Sequence, residues 1–481
     1  MSDEHKNEQT VDSDVKTTFS DLWKKEDWWS IWIGFILIGF AMVLVLPHVP
    51  DDPAQKMSIP SAKWITKPKG WTSHPLQSFV KTQAEIDAEA AVKTPAKPQK
   101  PYNVIPSMIV LLIGIGLLFA IGVAAMGESF GRFIGAFPLM FIFAIVSYWI
   151  AGQSGVHSYG LEYVLWALIL GLIISNTIRT PEWLKPAVKT EMYIKTGLVL
   201  LGAEVLFGKI LLLGPPGLVV AWCVTPIVII FMFIMGVRLL RLNPRLSIVI
   251  AAATSVCGVS AAIATAGACR AKKEELTLAI GMSLIFTVAM MVLMPIFIAK
   301  VGMSPIVGGA WMGGTIDSTG AVVAAGAFLG PDAEKVAAVV KMIQNVLIGL
   351  VAFAVAVYWV AKVDRTPGGP EPSLMEIWYR FPKFILGFVA ASILFSIMYK
   401  ILGDQIAPLA VDEGIINLTK TFRGWFFCLA FVSIGLESNF KDLCDQMAGG
   451  KALVLYVVGQ SFNLVLTLFF AWLMFRHFSF S

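Results

Sequence analysis

An aspartate, Asp317, stands inside an otherwise apolar run, within Gly313, Gly314, Thr315, Ile316, Asp317, Ser318, Thr319 and Gly320. An ionised carboxylate at the centre of a membrane-spanning helix costs about 2.5 to 3.5 kcal/mol on the insertion scale, so it calls for a partner or a task. A second apolar run breaks in the same way at Thr254, Ser255, Val256, Cys257, Gly258, Val259 and Ser260. In hydrocarbon every backbone amide must be satisfied, so an unwound stretch survives only where protein encloses it or where it lines a wet cavity. Glycine permits such a break, and each restarted half-helix points free N–H groups into the gap. Two such ends facing each other near the midplane make an anion site without any arginine. The bland alternative is that Gly, Ala and Ser simply let helices pack closely.

The candidate substrate contacts are therefore Thr254, Ser255, Cys257, Gly258 and Ser260 on the first break, with Thr315, Ser318 and Thr319 on the second. Asp317 is the candidate coupling residue. A bare carboxylate repels an anion, so an anionic substrate requires Asp317 to be neutralised by H+ or Na+. The site then attracts its substrate only when that carboxyl is loaded. If the substrate is a cation, Asp317 becomes its direct ligand. Lys341, Gln344 and Asn345 share a face of the next segment at helical spacing and can reach the site; an interfacial Lys341 is the alternative. Glu204 and Glu437 lie near helix ends, where snorkelling or loop capping explains them, and are weaker candidates. There is no Walker loop, dinucleotide fingerprint, His-Glu-x-x-His or carboxylate pair, so neither an enzyme nor an ATP-driven pump is expected. Five cysteines without C-x-x-C spacing predict no disulfide framework and no metal site. No cofactor is expected beyond a coupling ion.

The elements that must position these residues follow from composition. Of 481 residues 57% are hydrophobic and 14% charged, and mean hydropathy is +0.75. That excludes a water-soluble globule and predicts an all-α polytopic membrane protein. Thirteen apolar segments lie at roughly 29–46, 104–125, 134–151, 161–178, 193–210, 215–237, 246–269, 276–299, 305–329, 336–361, 383–402, 417–436 and 451–475. Depending on whether 246–269 and 305–329 cross or re-enter, eleven to thirteen of them span. The chain divides into a tail, 1–28, a first helix, 29–46, a Pro- and Lys-rich insert, 47–103, and a transporter domain, 104–475. Within the insert a short helix is expected over Gln83–Val92, and Trp64 and Trp71 either dip into the headgroup layer or pack on the insert itself.

Short basic loops stay cytoplasmic. Arg179, Lys185 and Lys189, then Arg238, Arg241 and Arg245, then Lys362, Arg365, Arg380 and Lys383 share one side if the N-terminus is cytoplasmic. The insert and the C-terminus then lie outside the inner membrane. The net charge of +5 forms no block suited to nucleic acid. The expected partners are a small anion and membrane lipid, with a homo-oligomer left open.

Two internal matches point to inverted repeats. Gly202, Glu204 and Phe207 recur at the same spacing as Gly435, Glu437 and Phe440, at the ends of helices that face opposite ways. Ser260, Ala262, Ile263, Ala266, Gly267 and Ala268 match Thr319, Ala321, Val322, Ala325, Gly326 and Ala327 at a constant offset of 59, marking the two broken runs as equivalent elements.

The run AAATSVCGVSAAIATAGACRAKKEE from Ala251 to Glu275, with KTGLVLLGAEVLFGKI before it and GGAWMGGTIDSTGAVVAAGAF after it, resembles the sulfate exporter family of bacterial multi-spanning membrane proteins over roughly Leu161 to Leu473. The helix ending in Gly-x-Glu is also similar to a motif of the cation/proton antiporter superfamily. That kinship implies an inverted-repeat transporter with interrupted helices around a central site. Sulfate is the family's label and not a product of the spacing. Where many members carry a His-Asp pair, this chain has Asp317 and Ser318, and Ala321 stands where a glutamine is expected. The expected function is secondary active transport of sulfate or a related small anion, coupled to H+ or Na+. The alternatives are a sodium/proton antiporter, or a non-transporting membrane protein whose insert docks a partner.

Overall fold

The structure is a computed structural model that describes residues 18–50, 57, 59, 63–72, 74–86, 100–158, 163–205, 207–363, 375–439 and 450–478. It is an all-α polytopic membrane protein: among the described residues nine helices are long and apolar enough to cross a bilayer. Its described residues form two compact units, one within Ser20–Gly208 and Lys383–Asn439, the other within Lys209–Pro382 and the described residues 450–478. The described parts of the insert and the first helix lie in the first unit.

In the first unit lie α1 (Glu26–Val45), α2 (Ile105–Ala125), α3 (Phe130–Ala151), α4 (Tyr163–Thr177) and α5 (Thr190–Glu204). The helix α6 (Phe207–Ile234) starts in this unit and continues into the second. The second unit adds α7 (Pro244–Ser255), α8 (Ser260–Cys269), α9 (Lys273–Lys300), α10 (Pro305–Thr315), α11 (Thr319–Leu329) and α12 (Pro331–Tyr358). After α13 (Phe384–Ala407) and α14 (Asn417–Glu437) in the first unit, α15 (Lys451–Phe475) closes the second.

The two anomalous runs are re-entrant hairpins. Each half has only 10 to 12 residues, about 15–18 Å at 1.5 Å per residue, half of a ~30 Å hydrocarbon core. Helix α10 runs alongside α12 in the same direction: a Cβ on Gly309 would lie 2.6 Å from the Ala333 carbonyl oxygen, and one on Gly313 2.8 Å from that of Ala337. Helix α11 runs back along α12, with Thr319 hydrogen-bonded by Asn345 and Gly326 against Glu334. The start of α10 and the end of α11 therefore meet, and a Cβ on Gly308 would touch Leu329 at 3.2 Å. In the other hairpin α7 packs on α8, and Val249 and Ala253 share a core with Ala262, Ala266 and Cys269. Proline opens α7 and α10, where a missing N–H costs nothing, and Arg270 in the left-handed conformation ends α8.

The first unit carries the other repeat. Helices α5 and α14 pack together and end at Glu204 and Glu437. Arg423 of α14 forms an ion pair with Glu204, Nε to Oε1 at 2.8 Å, with the two side chains 6% and 8% exposed. Thr190 of α5 donates to Glu437 at 2.9 Å. Residues 190 and 423 are 233 positions apart, as are Glu204 and Glu437, so the two contacts are one contact repeated about a pseudo-twofold axis. Each glycine of the repeat packs on the helix before the other copy: a Cβ on Gly202 would lie 2.3 Å from the Phe388 carbonyl oxygen of α13, and one on Gly435 2.5 Å from that of Leu168 in α4. The expected snorkelling or capping of Glu204 is replaced by this buried ion pair. Phe440, the third residue of the second copy, lies outside the described residues.

The insert folds onto its own unit. Strands β1 (Val80–Lys81) and β2 (Tyr102–Asn103) pair antiparallel, Ser107 of α2 bonds to the Lys63 carbonyl, and the Trp71 indole stacks on Trp149 of α3 and donates to its carbonyl at 2.7 Å. A helix starts at Gln83 as expected; beyond Ile86 its expected course to Val92 lies outside the described residues.

Candidate functional site

A helix end leaves its last carbonyls without partners, and two helices that stop in mid-membrane must find them elsewhere. At the end of α7, Lys341 donates to the Val256 carbonyl at 2.6 Å, Gln344 and Thr225 to that of Ser255 at 2.9 and 3.1 Å, and Asn463 to that of Thr254 at 3.2 Å. At the end of α10, Gln344 donates to the Gly314 carbonyl and Gln460 to the Thr315 carbonyl, both at 3.1 Å. Gln344 thus ties the two hairpins together. A lysine is also the favourable charge for the negative end of the α7 dipole. Lys341 is 1% exposed and donates in addition to Gln344 Oε1 at 2.7 Å. Of the two positions the sequence left open for Lys341, the buried one beside the hairpin is the one it takes, not the interfacial alternative.

The returning halves start with free N–H groups, and the two tips that carry them touch. The Gly258 N–H donates to the Asp317 carbonyl at 2.9 Å. Asp317 is 1% exposed, and its Oδ2 accepts from Ser283 of α9 at 3.0 Å and from the Tyr456 hydroxyl of α15. Glycine fits at 258 with Ser283 in its present position, because a Cβ there would come 1.9 Å from Ser283 Oγ and 3.3 Å from the Asp317 Cβ. Asp317 Oδ1 has no hydrogen-bond partner among the described residues.

The structure gathers the residues of both breaks, with Lys341, Gln344 and Asn345, around these tips. Their hydroxyls are not equally available. Thr254 and Ser255 donate to carbonyls one turn back, of Ile250 and Ala251, and Thr319 Oγ1 accepts from Asn345 at 2.9 Å. The Thr254 and Ser255 hydroxyl protons are therefore spent within the hairpin itself. Ser260 and Ser318 begin the returning halves and are partly exposed, whereas Cys257 and Thr315 are buried. Glu204 and Glu437 belong to the other unit. Among the described residues no group of three His, Cys, Asp or Glu could hold a metal ion.

The sequence reading missed Ser283, Thr225, Tyr456, Gln460 and Asn463. A signal for the last three was present: Tyr456, Gln460, Asn463 and Thr467 recur at steps of four, three and four along an apolar helix, one polar stripe on one face. Thr467 donates to Asn463 Oδ1 at 2.9 Å, which fixes that amide so that its nitrogen points at the hairpin.

Residues 136–456 match the profile of the family described as Conserved hypothetical protein 698. A UPF0324 membrane protein of Rhodopirellula baltica is 50% identical, over 95% of this chain and 91% of the relative. One from Nitratidesulfovibrio vulgaris is 44% identical over 96% of each. The UPF0324 membrane protein TauZ of Paracoccus denitrificans is 28% identical over 69% of this chain and 94% of its own length. No solved structure matches the chain.

Proposed function

We propose that this chain, which belongs to the Conserved hypothetical protein 698 family of UPF0324 membrane proteins, is a secondary active transporter of a small anion such as sulfate, coupled to H+ or Na+. The observation that carries this reading is the bond between Gly258 and Asp317, which puts two half-helix starts and one buried carboxylate at a single place. The N–H groups at the starts of α8 and α11, with Ser260 and Ser318, suit an anion of a few ångströms. Asp317 makes that attraction conditional. Two like unit charges ~6 Å apart repel by about 3 kcal/mol at an effective dielectric of ~20, roughly a hundred-fold in affinity. A neutralised Asp317 removes that penalty, so cation loading and anion binding are linked.

The basic loops support a cytoplasmic N-terminus and an extracytoplasmic C-terminus in the inner membrane, with the first hairpin dipping in from the cytoplasm and the second from outside. No enzymatic activity is part of this reading. The test is sulfate flux into proteoliposomes under imposed pH and Na+ gradients. Flux should follow one of the two gradients and lose that dependence in Asp317→Asn. Sulfate flux indifferent to both gradients and to the substitution would overturn the coupling, and Na+/H+ exchange without any anion flux would favour the antiporter.

A further inference from the structure

Four buried side-chain oxygens around the second hairpin tip have no hydrogen-bond partner among the described residues: Thr315 Oγ1, Asp317 Oδ1, Asn345 Oδ1 and Gln460 Oε1. All four residues are 3% exposed or less. Two of the oxygens sit on the tip itself. The other two belong to amides whose nitrogens are spent on that tip, Asn345 on Thr319 Oγ1 and Gln460 on the Thr315 carbonyl. The Gln460 amide is held in this sense because a carbonyl accepts from its nitrogen. Each such acceptor, left alone in a dry interior, costs about 1–3 kcal/mol. A surplus made of acceptors calls for something that donates to oxygen in several directions. A proton on Asp317 supplies one donor and leaves the amide oxygens unanswered. A hard cation takes several oxygens at once, carboxylate, amide and hydroxyl alike.

Charge selects the valence. With Asp317 and Lys341 both charged, a monovalent ion leaves the tip one net positive charge and a divalent ion two, so the lower valence costs less in hydrocarbon. We infer that the tip of the second hairpin binds a monovalent alkali cation, with Asp317 as its charged ligand and Thr315, Asn345 and Gln460 as neutral oxygen ligands. The inference rests on the transporter reading for its role, since it names the coupling ion, but it stands or falls by binding alone.

The test uses the full-length protein in detergent, without sulfate, and follows the thermal unfolding midpoint as choline chloride is replaced by LiCl, NaCl or KCl at constant ionic strength. One of the alkali ions should raise the midpoint saturably and choline should not. Asp317→Asn should abolish the rise, and Gln460→Ala and Asn345→Ala should shift the titration to at least about five-fold higher concentration. The wild type provides a measurement that needs no variant: acidification should weaken the cation by competition at Asp317. The other ionisable groups facing the tip are Lys341 of α12, Tyr456 of α15 and Cys257 of the first hairpin, none of which supplies an acceptor carboxylate. Equal midpoints in choline and all three alkali chlorides would overturn the site, as would a rise that survives Asp317→Asn. A sulfate response without a cation response would sink this inference and spare the anion reading; a cation response without any anion response would do the reverse.

Discussion

The backbone N–H of Gly258 donates to the backbone carbonyl of Asp317 at 2.9 Å, so the tip of each hairpin is closed by the other. Neither tip has enough donors of its own to stand unwound in hydrocarbon. The contact leaves the Asp317 carboxyl free of main-chain duty, held on one oxygen by Ser283 and Tyr456 and open on the other.

Gly258→Ala should be felt at Asp317 without touching it. The new Cβ would occupy the space of Ser283 Oγ, so Ser283 must turn away and its bond to the carboxylate is lost. Overpacking of this kind costs about 1–3 kcal/mol, read as a lower unfolding midpoint in detergent. Adding Ser283→Ala should recover part of that loss. A double variant no better than the sum of its parts would show that the clash lies elsewhere.

Lys341→Met keeps the volume of the side chain and removes its donors. The Val256 carbonyl then loses its lysine and Gln344 Oε1 its partner, at about 1–3 kcal/mol for each stranded acceptor. Chemical unfolding should report the loss, and limited proteolysis should open the first hairpin before the second. A stable Lys341→Met protein with an unchanged cleavage pattern would deny Lys341 its capping role.

The reciprocal contacts of the first unit make an unequal pair. Arg423→Met removes the ion-pair partner of the buried Glu204 and should destabilise by about 3–5 kcal/mol. Thr190→Val removes a neutral donor from the exposed Glu437 and should cost about 1 kcal/mol or less. Combining Arg423→Met with Glu204→Gln should recover much of the first loss. If the combination is as unstable as Arg423→Met alone, the charge of Glu204 is not what Arg423 answers.

Trp71→Ala should loosen the insert from α3, because it removes both the stack on Trp149 and the indole bond to its carbonyl. The stack contributes roughly 0.5–1.5 kcal/mol beyond buried area. Faster cleavage within 47–103 by an added protease, with unchanged sulfate flux, is the expected outcome. Flux lost in parallel with cleavage would instead tie the insert to transport.

Much of this architecture was legible along the chain. Both breaks were visible because Gly, Ser and Thr interrupt apolar runs, and the offset of 59 marked them as equivalent. The stripe Lys341, Gln344 and Asn345 was readable from helical spacing. The stripe of Tyr456, Gln460 and Asn463 obeyed the same rule but sits in the final helix, far in sequence from either break. Ser283 carries no signal of its own, since a lone serine in a long helix is compatible with bonding its own backbone, as Ser247 does.

Composition and periodicity are local, and they determined what a local rule can determine: which stretches must be buried in lipid, where the helix must stop, and that a carboxyl at 317 needs company. Whether 246–269 and 305–329 pass through or turn back depended on tertiary packing, because a run of about 24 apolar residues has the same hydropathy straight or folded in half. The partners of the exposed carbonyls came from α6, α12 and α15, and Arg423 met Glu204 across 219 residues. Only a folded chain brings such groups within hydrogen-bonding distance, since the bonds that satisfy a broken helix are made by segments that share no sequence neighbourhood with it.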